Sequence, residues 1–513
     1  MKLAVVVQRY GQSINGGAEL HARYVAEHLA RHAEVEVITT CASDYVTWRN
    51  ELPAGVETIG GVTVRRFPVR HEREPKLYGD WQDLVFQQPH SVNDELKWLD
   101  AEGPTSPALI KYLESNGRSY DYCIFFSFRY YHAYHGVRAV ARNAVLVPTA
   151  EREPSVGLSI FAPIFRGVRG IMYNSPEERA MLQAVSGNHD VPGVVVGIGS
   201  EVPTHTNPIR FRQKYDLRGP FAMYVGRIDA NKGCKELFEF FEDYLKGPSG
   251  KLTLVLVGNS ILEIPKHPRI RHLGFVSDAD KFDGLAAAEA LIMPSYYESL
   301  SMVALEAWAL GKPVLANGRC DVLKGQCIRS NAGLYYENQR EFSEALLALE
   351  QNKWLSTALG RNGRQFYREH YDWPVIEAKY LDMFERLSAA PAARPIEPIP
   401  GWFARRAKTA PAAEEVLTRV PAGAVLGGAP EPAPRLRHDR PRSTPAPVSA
   451  PAPTPVFSSE PAPAAPAASV PSGSGGRSPQ PPRDAQRSGG NRHGRGGPAS
   501  RRGGRSRRGP GRS

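Results

Sequence analysis

Two glutamates eight residues apart carry the chemistry most readily read from this chain. They lie in Pro294-Ser295-Tyr296-Tyr297-Glu298-Ser299-Leu300-Ser301-Met302-Val303-Ala304-Leu305-Glu306-Ala307-Trp308, ahead of Gly311-Lys312-Pro313-Val314. At 1.5 Å per helical residue, Glu306 stands about 12 Å beyond Glu298, a separation that suits two hydroxyl-bearing rings better than one. An ionised carboxylate accepts hydrogen bonds from two vicinal hydroxyls, so one glutamate suits a sugar and the other a ribose. Glu306 is flanked by Val303, Leu305, Ala307 and Trp308, too apolar a setting for a solvated face, and a buried unpaired carboxylate is costly. Ser299, beside Glu298, is a candidate helix cap.

A second stretch, Tyr224-Val225-Gly226-Arg227-Ile228-Asp229-Ala230-Asn231-Lys232-Gly233, ends a strand in glycine and delivers two cations five residues apart. Arg227 offers a planar fork to phosphate oxygens, Lys232 a compact charge, and the glycines allow close backbone approach, so the loop is fitted to clamp a diphosphate. Val257-Gly258 closes another strand with glycine and is expected at the same crevice, at the carboxyl ends of the strands.

The elements that must position these residues alternate along the chain. Leu3–Val7 reads as a buried parallel strand, Gly16-Gly17 as the loop after it, Ala18–Ala30 as a helix and Val35–Thr39 as the next strand. Runs at Val62–Phe67, Tyr122–Phe126, Ala144–Val147, Gly170–Tyr173 and Val194–Val196 continue this sheet, with an insertion at about 71–106. A second alternation takes in Phe221–Val225, Thr253–Val257, Arg271–Phe275, Leu291–Met293, Val314–Ala316 and Gly333–Tyr335. The expected architecture is α/β: a Rossmann-like domain over 1–200, a second over 201–372, a helix over 373–390, and a disordered tail over 391–513.

Together these stretches resemble the GT-B glycosyltransferase superfamily, specifically the retaining family 4 type known as glycosyl transferases group 1. The resemblance spans about residues 1–388. It rests on Glu298 and Glu306 within their Pro-Ser to Lys-Pro-Val frame, on Val225-Gly226-Arg227 to Lys232-Gly233, and on Gly16-Gly17-Ala18-Glu19. It implies two Rossmann-like domains around a cleft and transfer of a sugar from a UDP-, GDP- or ADP-sugar to a glycan, lipid-linked or small-molecule acceptor. It also implies no cofactor and no metal. Arg227 and Lys232 would neutralise the diphosphate and Glu298 would contact the donor sugar, these three forming the catalytic set. Glu306 would hold the ribose, Gly226, Gly258, Ser299 and Leu300 would complete the donor site, and Gly16 and Gly17 would lie beside phosphate and acceptor. A sugar-nucleotide epimerase of the same architecture and a non-catalytic binding protein remain alternatives.

Many such proteins carry a histidine after the fourth strand of the first domain. Asp121-Tyr122-Cys123-Ile124-Phe125-Phe126-Ser127-Phe128 lacks one, and His132 and His135 in the next helical stretch read as structural. Glu151-Arg152-Glu153 falls where the cleft would put acceptor-facing residues, and the sequence singles out no catalytic base. Asp278-Ala279-Asp280 has the form of a metal-binding pair, but it follows Ser277 at the start of a helix, where Ser and Asp are ordinary.

The net charge of +11 is misleading as a whole-chain value. Residues 391–513 hold 20 Lys and Arg against 7 acidic residues, leaving the first 390 with 44 against 46. The basic balance therefore belongs to the Pro-, Ala-, Gly- and Arg-rich tail, and gives no reason for the folded part to bind nucleic acid. The Arg-Gly pairs of the last forty residues suit contact with RNA or an anionic membrane. Deletion of the tail at 390 is expected to leave folding intact. Five scattered cysteines and the short apolar run at Leu3–Val7 suit a reducing, cytoplasmic setting, peripheral to a membrane at most.

Overall fold

Apolar runs of four or five residues with no polar alternation belong in parallel sheets covered on both faces, and that is where they lie. The computed structural model describes residues 1–391, 395–407 and 409–426; the Arg-rich end of the chain lies outside the described residues. The first sheet contains β1 (Lys2–Val6), β2 (Glu34–Thr40), β3 (Gly55–Ile59) and β4 (Val62–Phe67). A separate two-residue strand, β5 (His90–Ser91), comes next in the chain, and the first sheet then resumes with β6 (Tyr122–Phe126), β7 (Ala144–Val147), β8 (Gly170–Tyr173) and β9 (Gly193–Val195). Its order is β3-β4-β2-β1-β6-β7-β8-β9, parallel apart from the β3–β4 hairpin. Sequence reading passes over β3 because it is an edge strand whose residues face solvent; its partner follows through Gly60 and Gly61, both at positive φ as a tight hairpin turn requires.

The second sheet contains β10 (Phe221–Val225), β11 (Thr253–Val257), β12 (Ile270–His272), β13 (Ala290–Met293), β14 (Val314–Asn317) and β15 (Gly333–Tyr336). It is wholly parallel in the order β12-β11-β10-β13-β14-β15. Each sheet reverses its winding beside its first strand, β1 against β6 and β10 against β13. In an open α/β sheet the crevice at the carboxyl ends of such a strand pair is where ligands bind. The two stretches singled out by their chemistry are the loops that leave β10 and β13.

The insertion at 71–106 folds into helices Pro75–Gln87 and Val92–Glu102. Helix Trp373–Ala389 returns from the second domain to the first, burying Ile376, Tyr380, Met383, Phe384 and Leu387 and stacking Phe384 on Tyr122 of β6. His28 of the first domain lies flat against Trp373, 3.5 Å between ring centres, and hydrogen-bonds Glu377 and Glu201, each at 2.6 Å. No helix among the described residues is long and apolar enough to cross a membrane.

The packed chain does not end near residue 390 as its composition suggests. A last strand, β16 (Thr409–Ala410), pairs antiparallel with β5, and the short helix Ala413–Thr418 follows it. Ala410, Ala412, Ala413 and Val420 are buried, and Ile396, Ile399 and Leu417 pack on the first domain's core. Two glycines make room: a Cβ on Gly157 would meet the backbone of Ala413, and one on Gly167 would meet Ile396. A Pro- and Ala-rich segment with few large apolar residues still packs when each one is met by a groove. Packing on the first domain therefore continues past residue 390 to at least Val425, and the rest of the expected tail falls outside the described residues.

Candidate active site

The loop after β10 is shaped by contact with its neighbours. A Cβ on Gly258, at φ 130°, would lie 2.0 Å from the carbonyl oxygen of Gly226; one on Gly233, at φ 70°, would lie 2.0 Å from that of Pro294. The ends of β10, β11 and β13 are thus pressed together through glycine. Asp229, almost fully buried, organises the turn: one carboxylate oxygen accepts the Lys232 N–H at 2.8 Å, and the other receives the Arg227 side chain. Arg227 itself remains 56% exposed and Lys232 30% exposed, so both cations border the crevice.

Lys232 Nζ donates to Glu298 Oε1 at 2.9 Å, which joins the two loops. Burial works against the ammonium, but Glu298 and Glu151 together more than offset it, and the Lys232 pKa is raised. Residues 294–301 run without helix, and the following helix begins only at Met302. Its cap is therefore Ser301, which accepts the Ala304 N–H at 3.2 Å, and not Ser299. Ser299 Oγ instead accepts from the Asn174 amide of the first domain at 3.3 Å, while Leu300 is buried in the core.

Glu306 is 2% exposed, as its apolar neighbours demand. Its Oε1 accepts from Lys281 Nζ and from Ser200 Oγ, both at 2.9 Å, whereas Oε2 has no hydrogen-bond partner among the described residues. A buried carboxylate oxygen with its acceptor capacity unused is suited to a hydroxyl. Asp229, Lys281 and Ser200 were not singled out from sequence. Asp229 stands between Arg227 and Lys232, a position between two cations that is the available signal; Lys281 and Ser200 come from remote segments and carry none.

Gly16 precedes the first turn of helix Gly17–Leu29, and that turn's positive end is already occupied. Glu19 lies there, held by Arg9 at 2.6 Å. Gly17 has open space where a side chain would stand. His132 is buried against the Phe126 carbonyl at 3.0 Å, and burial lowers its pKa to about 4. His135 is likewise lowered to about 4 by burial and tilts against Tyr131. Ser277 caps the helix by accepting the Asp280 N–H at 3.1 Å and Asp280 pairs with Lys214 at 2.6 Å, whereas Asp278 is exposed, so the two carboxylates serve a helix start.

Two segments of the first domain, the loop after β7 and the turn after β8, reach the second. Arg152 reaches Asp321 at 3.2 Å, Glu177 pairs with Arg329, and Asn174 reaches Ser299. Glu151 precedes the first of these contacts, and its carboxyl is pushed up to about 7 by burial, with Glu298 and Glu153 adding to the shift and Lys232 opposing it.

Residues 206–366 match the family model described as glycosyl transferases group 1. Among curated relatives, the chain is 27% identical over 177 residues to the N,N'-diacetylbacillosaminyl-diphospho-undecaprenol alpha-1,3-N-acetylgalactosaminyltransferase of Campylobacter jejuni, covering 33% of this chain and 45% of that protein. It is 24% identical over 431 residues to the D-inositol 3-phosphate glycosyltransferase of Corynebacterium urealyticum, covering 78% and 97%. The chain spans about half the length of the first of these relatives. Among solved structures, sucrose-phosphate synthase from Thermosynechococcus elongatus superposes with a TM-score of 0.55 at 18% identity, over 76% of this chain and 100% of that one. Anabaena HepE in complex with UDP-glucose gives 0.54 at 17%, over the same shares. The fold is thus GT-B, and the match to the group 1 model lies within the second domain.

Proposed function

We propose that this chain, whose second domain carries the group 1 glycosyltransferase match, moves a sugar from a nucleotide-diphosphate donor to a hydroxyl acceptor with retention of configuration. One observation carries the reading: Arg227, Lys232 and Glu298 converge at the winding reversal of the second sheet, with Glu306 buried one helix further on. Each residue has a distinct task. Arg227 and Lys232 lie where a diphosphate is held, Glu298 where the transferred sugar is held, and Glu306 Oε2 where a ribose hydroxyl is held. The complex of HepE with UDP-glucose, a protein of the same fold, supports a nucleotide-sugar donor.

In the transfer the acceptor oxygen bonds to the anomeric carbon, and the bond from that carbon to the diphosphate oxygen breaks with its electron pair. The departing phosphate takes the acceptor's proton on the same face. Fixed cations aimed at the growing phosphate charge are the main source of rate, and one such group commonly contributes about 2–4 kcal/mol. In this reading Arg227 and Lys232 carry the phosphate charge without a metal ion, so chelator is expected to leave transfer unchanged; loss of activity restored by Mn²⁺ or Mg²⁺ would contradict it. Product from an α-linked donor is expected to remain α, read by anomeric NMR coupling, and an inverted product overturns retention.

Glu306→Gln, which keeps the shape and removes the charge, is expected to raise the donor KM by roughly 10- to 100-fold, the worth of about 1.5–3 kcal/mol in charged hydrogen bonds, with a small effect on turnover. A wild-type KM in a variant that melts normally removes the ribose assignment.

A further inference from the structure

We propose that the short helix Trp402–Ala407 is a membrane contact, which lays Trp402 and Phe403 into the interface of an anionic bilayer. The inference is independent of the donor site. The helix stands between two anchors. Ahead of it, Ile396 and Ile399 pack on the first domain's core; behind it, β16 pairs with β5 and Ala410 is buried. The anchors turn their apolar side chains inward, whereas the two largest rings of the segment face out, Trp402 62% exposed and Phe403 76%. Ala404 and Ala407 are exposed beside them, and only Arg405 of the six residues is half-buried.

Exposed rings by themselves name no partner, but the charge around them does. Arg406 stands over the Trp402 ring at 4.4 Å, and Arg405 donates to the Pro400 carbonyl at 3.3 Å. From the first domain, Arg138 donates to the Glu397 carbonyl at 2.8 Å and Arg166 pairs with the Glu397 carboxylate at 2.7 Å. The segment 396–407 thus carries or touches four arginines, and Glu397 is its one carboxylate. Aromatic rings flanked by arginine match a bilayer interface, where Trp seats at the headgroup level and basic side chains meet anionic lipid. Apart from its two arginines, Trp402–Ala407 has no charged, hydroxyl or amide side chain to strip of water on insertion. A single-stranded nucleic acid also takes stacking rings and arginine, but along a groove that tracks its backbone, and an exposed helix of under two turns offers none. Two rings make a weak anchor alone, and a second attraction is present in the 20 Lys and Arg against 7 acidic residues of 391–513.

The test uses the full chain with vesicles of equimolar phosphatidylcholine and phosphatidylglycerol, their acyl chains either plain or brominated. Bromine quenches tryptophan on contact, so it separates a ring inserted in the bilayer from a tail held at its surface. Of the seven tryptophans, Trp48, Trp98, Trp308 and Trp373 are buried, Trp81 is half-buried and Trp354 belongs to the second domain. Expected is quenching by the brominated vesicles that disappears in Trp402→Phe, a variant that keeps an apolar ring and still sediments with the vesicles. Trp402→Ser with Phe403→Ser is expected to melt as the wild type does. At high salt, where charge attraction is screened, it should bind the vesicles roughly 10- to 100-fold more weakly, the scale of returning two aromatic side chains to water. Vesicle binding without quenching means that the tail acts alone, and overturns the inference. So does quenching that persists in Trp402→Phe, high-salt affinity unchanged in the double variant, or Trp402 fluorescence that responds to single-stranded RNA and not to vesicles.

Discussion

Lys232→Ala is expected to weaken nucleoside diphosphate binding by roughly 100- to 1,000-fold, on the order of the rate lost when one fixed donor aimed at oxyanion charge is removed, while leaving nucleoside binding unchanged. The effect belongs at the upper end because the ammonium does two things at once. In the proposed site it meets the phosphates, and it is bonded to Glu298, which is left without that cation once it is gone. Arg227→Ala should cost less, since its guanidinium is more than half exposed and already engages Asp229. Calorimetric comparison of the diphosphate with the bare nucleoside separates these effects from misfolding. Equal losses for both ligands would remove the phosphate assignment from Lys232.

Truncation gives the second large effect, and two end points must be compared. A chain ending at Ala390 loses Ile396, Ile399, Ala410, Ala413, Leu417 and Val420 from the surface of the first domain's core. It also loses the β16 pairing, the Glu397 contact to Arg166 and the Val425 backbone contacts to Glu177 and Arg329. At about 1.5–3 kcal/mol for each large apolar side chain fully buried, and less for those partly so, the loss is roughly 3–6 kcal/mol. The shortened chain should melt several degrees lower, whereas a chain ending at Leu426 should melt with the full-length protein. Identical melting of the 390 form would mean that the segment 395–426 contributes nothing.

Much of the framework is legible in sequence because buried parallel strands have no polar alternation: β6, β7, β8, β10 and β11 start and end where the apolar runs do. Glu306 was readable as buried for the same reason, its neighbours leaving no polar face. The partners of that carboxylate were not. Lys281 lies 25 residues away and Ser200 106 residues away, and only the tertiary fold brings them to it. The helix cap was misplaced by two residues because Ser299 and Ser301 are equally good caps by type, and the choice depends on where the chain turns. The segment after 390 was hidden by its own composition, since its anchors are small residues seated against Gly157 and Gly167, and a glycine seen alone gives no sign of what packs on it. Glu151 is legible only by its position after β7, since the burial that raises its carboxyl depends on the tertiary fold.

On the proposed function, a nucleotide-diphosphate sugar binds at the carboxyl ends of β10 and β13. Hydrogen–deuterium exchange of the full chain, with and without whichever of the UDP-, GDP- or ADP-sugars raises its melting temperature, tests this most directly. Slowed exchange is expected in Gly226–Gly233 and Pro294–Ser301, lost in Lys232→Ala. Slowed exchange confined to the first domain, with both loops unchanged, would contradict it.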